Sequence, residues 1–366
     1  MRIRIAALLV LMVFFAALPA AAEQEDLKIT DGFEYKVWNG YAVVTAYRGE
    51  YFPRHLPEKL DGHEVLSWFD MDVFDDLIGD WGIYRYAHVS EDEIYIVGWT
   101  GFERISAIPE SIGGIPVTGI GDLAFYCSGY TRDLFAEVVE VPGSVRTIGR
   151  EAFACVGVSC ILLNEGLEEI GDYAFRGYSQ LKMAIPSTVR RMGANPFIDD
   201  PDAGDANGYL FPELLGSAYF DTVWDVDMEM LYSVEDMRLI TFREDLRRYS
   251  DEETVYAVPD GIRIIGDSAF YNTPYLTEVI LPDTVEVIED SAFAGAWRLE
   301  RVTIPDSVTA IGGHAFEDTP VWELEIPSNV TAIGERILGS SGTIVCDRGS
   351  AAEAYALENG YAVRYR

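Results

Sequence analysis

The chain has 366 residues, 61 of them acidic and 27 basic, for a formal net charge of -34. An exterior of that sign repels phosphate backbones and anionic lipids, so nucleic-acid binding is excluded and a soluble, well-solvated surface is expected. Only four histidines are present, and His63-Glu64 lacks the second histidine of a zinc-protease helix because Ser67 stands at that place.

Met1 to Ala22 begins with Arg2 and Arg4, runs apolar from Ile5 to Leu18, and ends on the small residues Ala20 and Ala22 before Glu23. The pattern predicts a cleavable secretory signal, residues 1–22, with an uncleaved membrane anchor as the competing reading. Its removal deletes two arginines and no acids, leaving 25 basic and 61 acidic residues and a net charge of -36. No later run reaches membrane-spanning length, so no membrane span is expected after removal and the chain is expected outside the cell or in its envelope.

Residues 23–106 hold two larger, aromatic-rich units. Shifted by 52 residues, Val44 meets Ile96, Tyr47 meets Trp99, Gly49 meets Gly101 and Pro57 meets Pro109 without a gap. Atypical units of this kind are expected to close the end of a repeat array.

A tighter pattern occupies residues 107–197. IGDLAF ends at Phe125, IGREAF at Phe153, IGDYAF at Phe175 and MGANPF at Phe197, at spacings of 28, 22 and 22 residues. Pro196 and Met192 break the pattern in the last copy, and residues 198–254 read as an insertion carrying a hairpin turned at Glu235 and Asp236. The pattern returns over residues 255–341, where Phe270, Phe293 and Phe316 are each 23 residues apart and Leu338 follows 22 later. Residues 342–366 read as a C-terminal cap, with a short helix over Ala351 to Glu358, Ser350 as N-cap and Gly360 just past its end.

One such unit buries too little apolar surface to offset the ordering of its own residues, so the units must stack. Val302-Thr303-Ile304 alternates apolar and polar before Pro305, which predicts a short strand ended by a residue without an N–H. Ala315 beside Phe316 predicts a row of phenyl rings, with the alanines admitting the neighbouring backbone. The fold expected is a β-rich solenoid of short parallel strands, one per coil, with turns and short helical segments, an inserted hairpin and a short C-terminal helical cap.

The recurring I-P-x-x-V-x-x-I-G-x-x-A-F, as in Ile304 to Phe316, resembles the BspA-like leucine-rich repeat family of bacterial surface and secreted proteins. LYSVEDMRLITF and GSAAEAYALENG also look like features of that family. The resemblance covers residues 107–197 and 255–345 closely and the N-terminal units more loosely. It implies a leucine-rich repeat fold, a non-enzymatic role, export from bacteria or occurrence in some mucosal protists, and attachment to host matrix proteins or other cells. Met192 to Phe197, the insertion and the lack of a wall-anchoring signal depart from it and leave attachment to the producing cell open.

Strand positions alternating outward from the core would line an exposed sheet face. Val138, Leu162, Val255, Ile280 and Arg301 are the candidate partner-binding residues, facing a protein partner unless the insertion or loops pack over them. Cys127 and Cys155 follow their motif phenylalanines by two residues in adjacent units, where either a disulfide or two buried thiols would fit. The acidic run Asp199 to Gly208 offers oxygen ligands, yet Gly204 and Phe211 stand where an EF-hand needs ligands, so a solvated loop is expected. No nucleophile elbow or phosphate-binding glycine loop occurs, and no catalytic residue, cofactor or metal is expected. Trp68, Trp81 and Trp99 could stack on sugars or fill an end cap. Protein binding and adhesion through the exposed sheet is therefore the first functional expectation. The alternative is an accessory carbohydrate-binding or hydrolytic protein with its site in the N-terminal units or the insertion.

Overall fold

The computed structural model describes residues 28–38, 41–48, 59–65, 77–99, 105–126, 135–154, 158–177, 183–198, 213–225, 228–244, 254–339 and 341–366, with Pro53, His55 and Pro57. The expected signal, Trp68, Cys127, Cys155 and the acidic run Asp199 to Gly208 lie outside the described residues. The chain divides into two compact units, Met1–Leu77 and Ile78–Arg366.

In the first unit, Lys28–Thr30, Phe33–Trp38 and Tyr41–Tyr47 form an antiparallel meander. Ala42 bridges in parallel to Val65, just past the Lys59–Leu60 and His63–Glu64 hairpin. Tyr35 is fully buried, and its hydroxyl donates to the Asp61 carboxylate, which also accepts from Thr30. The Tyr35 bond, then the Thr30 bond, hold the Asp61 carboxyl below the usual carboxylate range.

The second unit is a solenoid in two blocks, and each block opens on an antiparallel meander of three strands. In the first block these are Ile78–Trp81, Tyr84–Ser90 and Glu93–Trp99. The third strand then pairs in parallel with Ile115–Ile120, which begins a ladder continued by Thr147–Ile148, Glu169–Ile170 and Arg191–Met192. In the second block the meander is Phe220–Asp225, Met228–Ser233 and Arg238–Glu244. Its third strand leads a parallel ladder of Ile264–Ile265, Val287–Ile288, Ala310–Ile311 and Ala332–Ile333.

Within residues 198–254 the described strands, the expected hairpin among them, form the head of the second block. Phe220, Leu231 and Ile240 are buried with the core of the first block, whereas Met230, Leu239 and Phe242 are buried with that of the second. Strand alternation sends neighbours to opposite faces, and a register shift opposite Leu231 and Tyr232 puts Ile240 on the Leu231 side. The hairpin is therefore a two-sided wedge with apolar surface on both faces. Side-chain bonds also join the blocks: the Tyr173 hydroxyl donates to Asp267 at 3.0 Å, and Asn195 Nδ2 donates to the Ser268 carbonyl at 2.8 Å.

One expectation changes: the coil carries two strands rather than one. Arg301–Thr303 lies on one face of its coil, and Ala310–Ile311 joins the ladder on another. Backbone groups inside a stack need partners, and the preceding coil offers them in register: Gly312 N–H donates to the Ile288 carbonyl and Gly334 N–H to that of Ile311, each at 2.8 Å. The helical segments expected within coils are single turns.

The phenylalanines form two rows. Phe125, Phe153, Phe175 and Phe197 stack at centroid distances of 5.1, 5.8 and 5.9 Å. Phe242, Phe270, Phe293 and Phe316 follow at 4.6, 4.9 and 5.1 Å, so the hairpin supplies the first ring of the second row. Phe153, Phe270 and Phe293 donate their N–H to the carbonyl of the alanine one coil on, at 2.9, 2.7 and 2.8 Å. The approach does not need alanine alone, since the Ile337 carbonyl accepts from Phe316 N–H at 2.9 Å in the same way. Pro196 keeps the arrangement because its carbonyl still accepts from Phe175 N–H at 2.8 Å.

The C-terminal end is closed by the parallel strands Glu323–Glu325, Thr343–Cys346 and Ala362–Tyr365 and by the helix Ala351–Asn359. Ser350 caps the helix by accepting from Glu353 N–H, and Gly360 ends it in the left-handed region at φ 78°. Ala352 and Ala356 are fully buried, and the Tyr361 hydroxyl donates to the Leu338 carbonyl at 2.8 Å, fastening this lid to the last coil.

Candidate functional site

The strand face follows from the alternation. Along Phe135–Val141 and Cys160–Leu163, Val139, Val141, Ile161 and Leu163 point into the core, while Val138 and Leu162 are 43 % and 47 % exposed. Along Thr254–Ala257 and Leu276–Ile280, Tyr256 and Val279 are buried, while Val255 and Ile280 are 46 % and 41 % exposed. Arg301 is exposed on the next strand.

The registers decide which of these side chains meet. Val255, Glu278 and Arg301 lie abreast, as do Ala257, Ile280 and Thr303. Val255 and Ile280 are thus diagonal neighbours, with Arg301 holding Glu278 at 2.9 Å beside them. Val138 lies beside Cys160, and Leu162 beside Glu140, in a separate three-stranded sheet. The five candidates therefore form two groups, Val138 with Leu162 and Val255 with Ile280 and Arg301. Cys160 and Cys346 are free thiols, Cys346 fully buried.

Charge at the C-terminal end of the face is largely satisfied within the chain. Arg364 pairs with Glu323, while Arg366 binds Glu325 at 3.1 Å and Asp347 at 2.6 Å. Hydrogen bonds from Arg366 to Asp347 and Glu325 raise its already high pKa.

A second surface escaped the sequence reading. Val287, Ala310 and Ala332 point outward on the second ladder and floor an open groove of about 630 Å³ rimmed by Asp267, Glu289 and Asp290. Arg238 pairs with Glu289 and, at 3.1 Å, with Asp236. Burial, only partly offset by bonds from Ser268 and Tyr173, pushes the Asp267 carboxyl above its ordinary range. The signal was present in the sequence as small apolar residues at ladder positions where the first block has Thr147, Glu169 and Arg191. Among exposed aromatics, Trp81, Trp297 and Trp322 are at least 46 % accessible, while Trp99 is partly buried against the core. Among the described residues no group of three histidine, cysteine or carboxylate side chains could hold a metal ion.

The sequence description of the BspA type leucine-rich repeat region matches in six copies, over residues 91–201 and 255–344, more than half of the chain. The chain belongs to the BspA-type leucine-rich repeat family. No curated protein matches the sequence. Among solved structures the BspA-type chain is similar to a leucine-rich cell surface protein of Faecalibacterium prausnitzii, at 18 % identity and a TM-score of 0.38, covering 79 % of this chain and 94 % of that one. It is similar to a leucine-rich repeat protein of Eubacterium ventriosum at 20 % identity and a TM-score of 0.41, covering 74 % and 71 %. A leucine-rich repeat protein of Bacteroides capillosus matches at 27 % identity and a TM-score of 0.30, covering 38 % of this chain and 99 % of that one. Among the described residues no helix of this BspA-type chain is long and apolar enough to cross a membrane.

Proposed function

We propose that this BspA-type chain is an exported or cell-surface protein that binds a protein partner through its strand face, and that it mediates adhesion by surface complementarity without catalysis. The observation that carries this reading is the pair Val255 and Ile280, two branched apolar side chains over 40 % exposed on adjacent strands and bordered by the Arg301–Glu278 pair. An apolar centre edged by charge is what a protein interface presents to its partner. Membership of a family with surface and secreted members supports export, as does the apolar run Ile5 to Leu18 behind Arg2 and Arg4.

The test uses the purified chain as bait for host matrix proteins and for the producer's own envelope proteins. Leu162→Asp with Ile280→Asp should abolish capture while leaving the melting temperature near wild type, because both side chains point away from the core. Capture that survives both charges would refute the face. A large loss of stability would show that these residues support the core instead.

A further inference from the structure

We propose that the groove on the second ladder is a separate docking site for an extended basic peptide segment of a partner protein. Three observations carry this. The first is the floor: Val287, Ala310 and Ala332 stand abreast on adjacent parallel strands, so nothing bulky projects into the groove of about 630 Å³. In the first block the corresponding positions are Thr147, Glu169 and Arg191, and the Arg191–Glu169 ion pair at 2.6 Å lies across that ladder. One block thus covers its ladder with its own side chains and the other leaves it open.

The second observation is the charge of the rim. Asp267, Glu289 and Asp290 lie along one side, and the cation paired with them, Arg238, divides its charge between Glu289 and Asp236. Asp290 is exposed and accepts a bond from Gly313 N–H at 2.7 Å, and no ion pair among the described residues compensates its negative charge. The half-buried Asp267 accepts from two hydroxyls, Tyr173 and Ser268, neither of which is a cation. A lysine or arginine placed at this rim would meet carboxylates in surroundings less screened than open water.

The third is size. Three strands about 4.8 Å apart give a floor about 10 Å across, the length of about three extended residues at 3.3 Å each. Small apolar side chains of such a segment would rest on Ala310 and Ala332, with alternate basic side chains turned to the rim.

The probe is a fluorescent hexapeptide alternating lysine and valine, with the same peptide carrying glutamate for lysine as its control, measured by anisotropy on the full chain. The lysine peptide is expected to bind, more weakly as salt rises, and the glutamate peptide is not. Ala332→Arg, which fills and neutralises the groove, should weaken binding by about tenfold or more. Asp290→Asn keeps the acceptor for Gly313 while removing the charge, so it should weaken binding with the fold intact even where the arginine variant fails to fold. Ile280→Asp should leave peptide binding unchanged, which separates this site from the strand face. Equal binding of both peptides, or indifference to Ala332→Arg and Asp290→Asn, would overturn the proposal. A dimer of the free chain that Ala332→Arg dissociates would overturn it as well, by making a second copy the occupant.

Discussion

A side chain at Gly312 would have nowhere to go: a Cβ built there lies 2.4 Å from the Asp290 backbone nitrogen. Gly171 and Gly334 stand at the same corner of their coils, with clearances of 2.7 and 2.2 Å to the backbone of the preceding coil. The glycine is thus favoured by the coil before it and not by its own turn, although Glu289 takes the same corner in one coil, its N–H on the Ile265 carbonyl at 2.9 Å. Gly312→Ala should cost on the order of 1–3 kcal/mol, as overpacking does, and denaturant melts compared with wild type would measure it. A melt unchanged within about 0.5 kcal/mol would mean that coils can shift apart at this corner. The spacing of these glycines and of the phenylalanines was legible because each repeats a contact that recurs once per coil. Another column was not. Leu123, Glu151, Tyr173, Ser268, Ser291, His314 and Arg336, each two residues before the motif phenylalanine or Leu338, all take left-handed φ between 49° and 59°. These residues share no chemistry, so their common conformation is imposed by the stack and leaves no mark in the sequence.

Among elements, the Met228–Ser233 and Arg238–Glu244 hairpin carries the most consequence. A polar turn between two apolar runs was enough to foresee it. Its place was not, because a strand buried on both faces has apolar residues on both faces, and the pattern does not say which core each face meets. Leu231 belongs to the core of the first block and Leu239 to that of the second, and both are fully buried. Leu231→Ala and Leu239→Ala should each cost about 2–5 kcal/mol. Hydrogen exchange would distinguish them, with protection lost around Phe175 in the first variant and around Phe270 in the second. Loss confined to the hairpin in both would mean that it is not a structural link. The C-terminal helix was more readable, since Ser350 and Gly360 mark its two ends with local chemistry. The two-residue strands of the second ladder are too short to show a period. The groove above them is defined by missing bulk, so strand-face candidates such as Ile280 could be read from alternation when the groove could not.

At the scale of the whole second unit, the two blocks meet through Tyr173 and Asp267, and this contact has a pH dependence of fixed sign. Burial is the leading cause of the raised Asp267 pKa, and its neighbours Asp290 and Glu289 act in the same direction. Tyr173 is raised too, by burial first and then by the Asp267 charge. A carboxyl that holds its proton more firmly in the folded state stabilises the fold at acid pH, and that contribution is lost as pH rises above the ordinary aspartate range. Asp267→Asn, which keeps an oxygen to accept from Tyr173, should therefore be more stable than wild type at pH 7, with the gap closing towards pH 4. Urea melts of both proteins at the two pH values would check this, and a less stable variant at pH 7 would show that the junction needs the charged form. Family membership belongs to this scale as well, because it rests on motif copies spread over both blocks.

The meanders that open both blocks also set an order of events. Antiparallel neighbours such as Met228–Ser233 and Arg238–Glu244 are joined by a few residues and can close in about 1–10 μs, whereas each rung of the parallel ladders must bring together residues 22 to 28 apart. A chain emerging from its N-terminus therefore presents a finished template before each set of coils is made. Every later coil docks onto an edge already in place, so assembly runs in one direction by short steps, with two starting points instead of one.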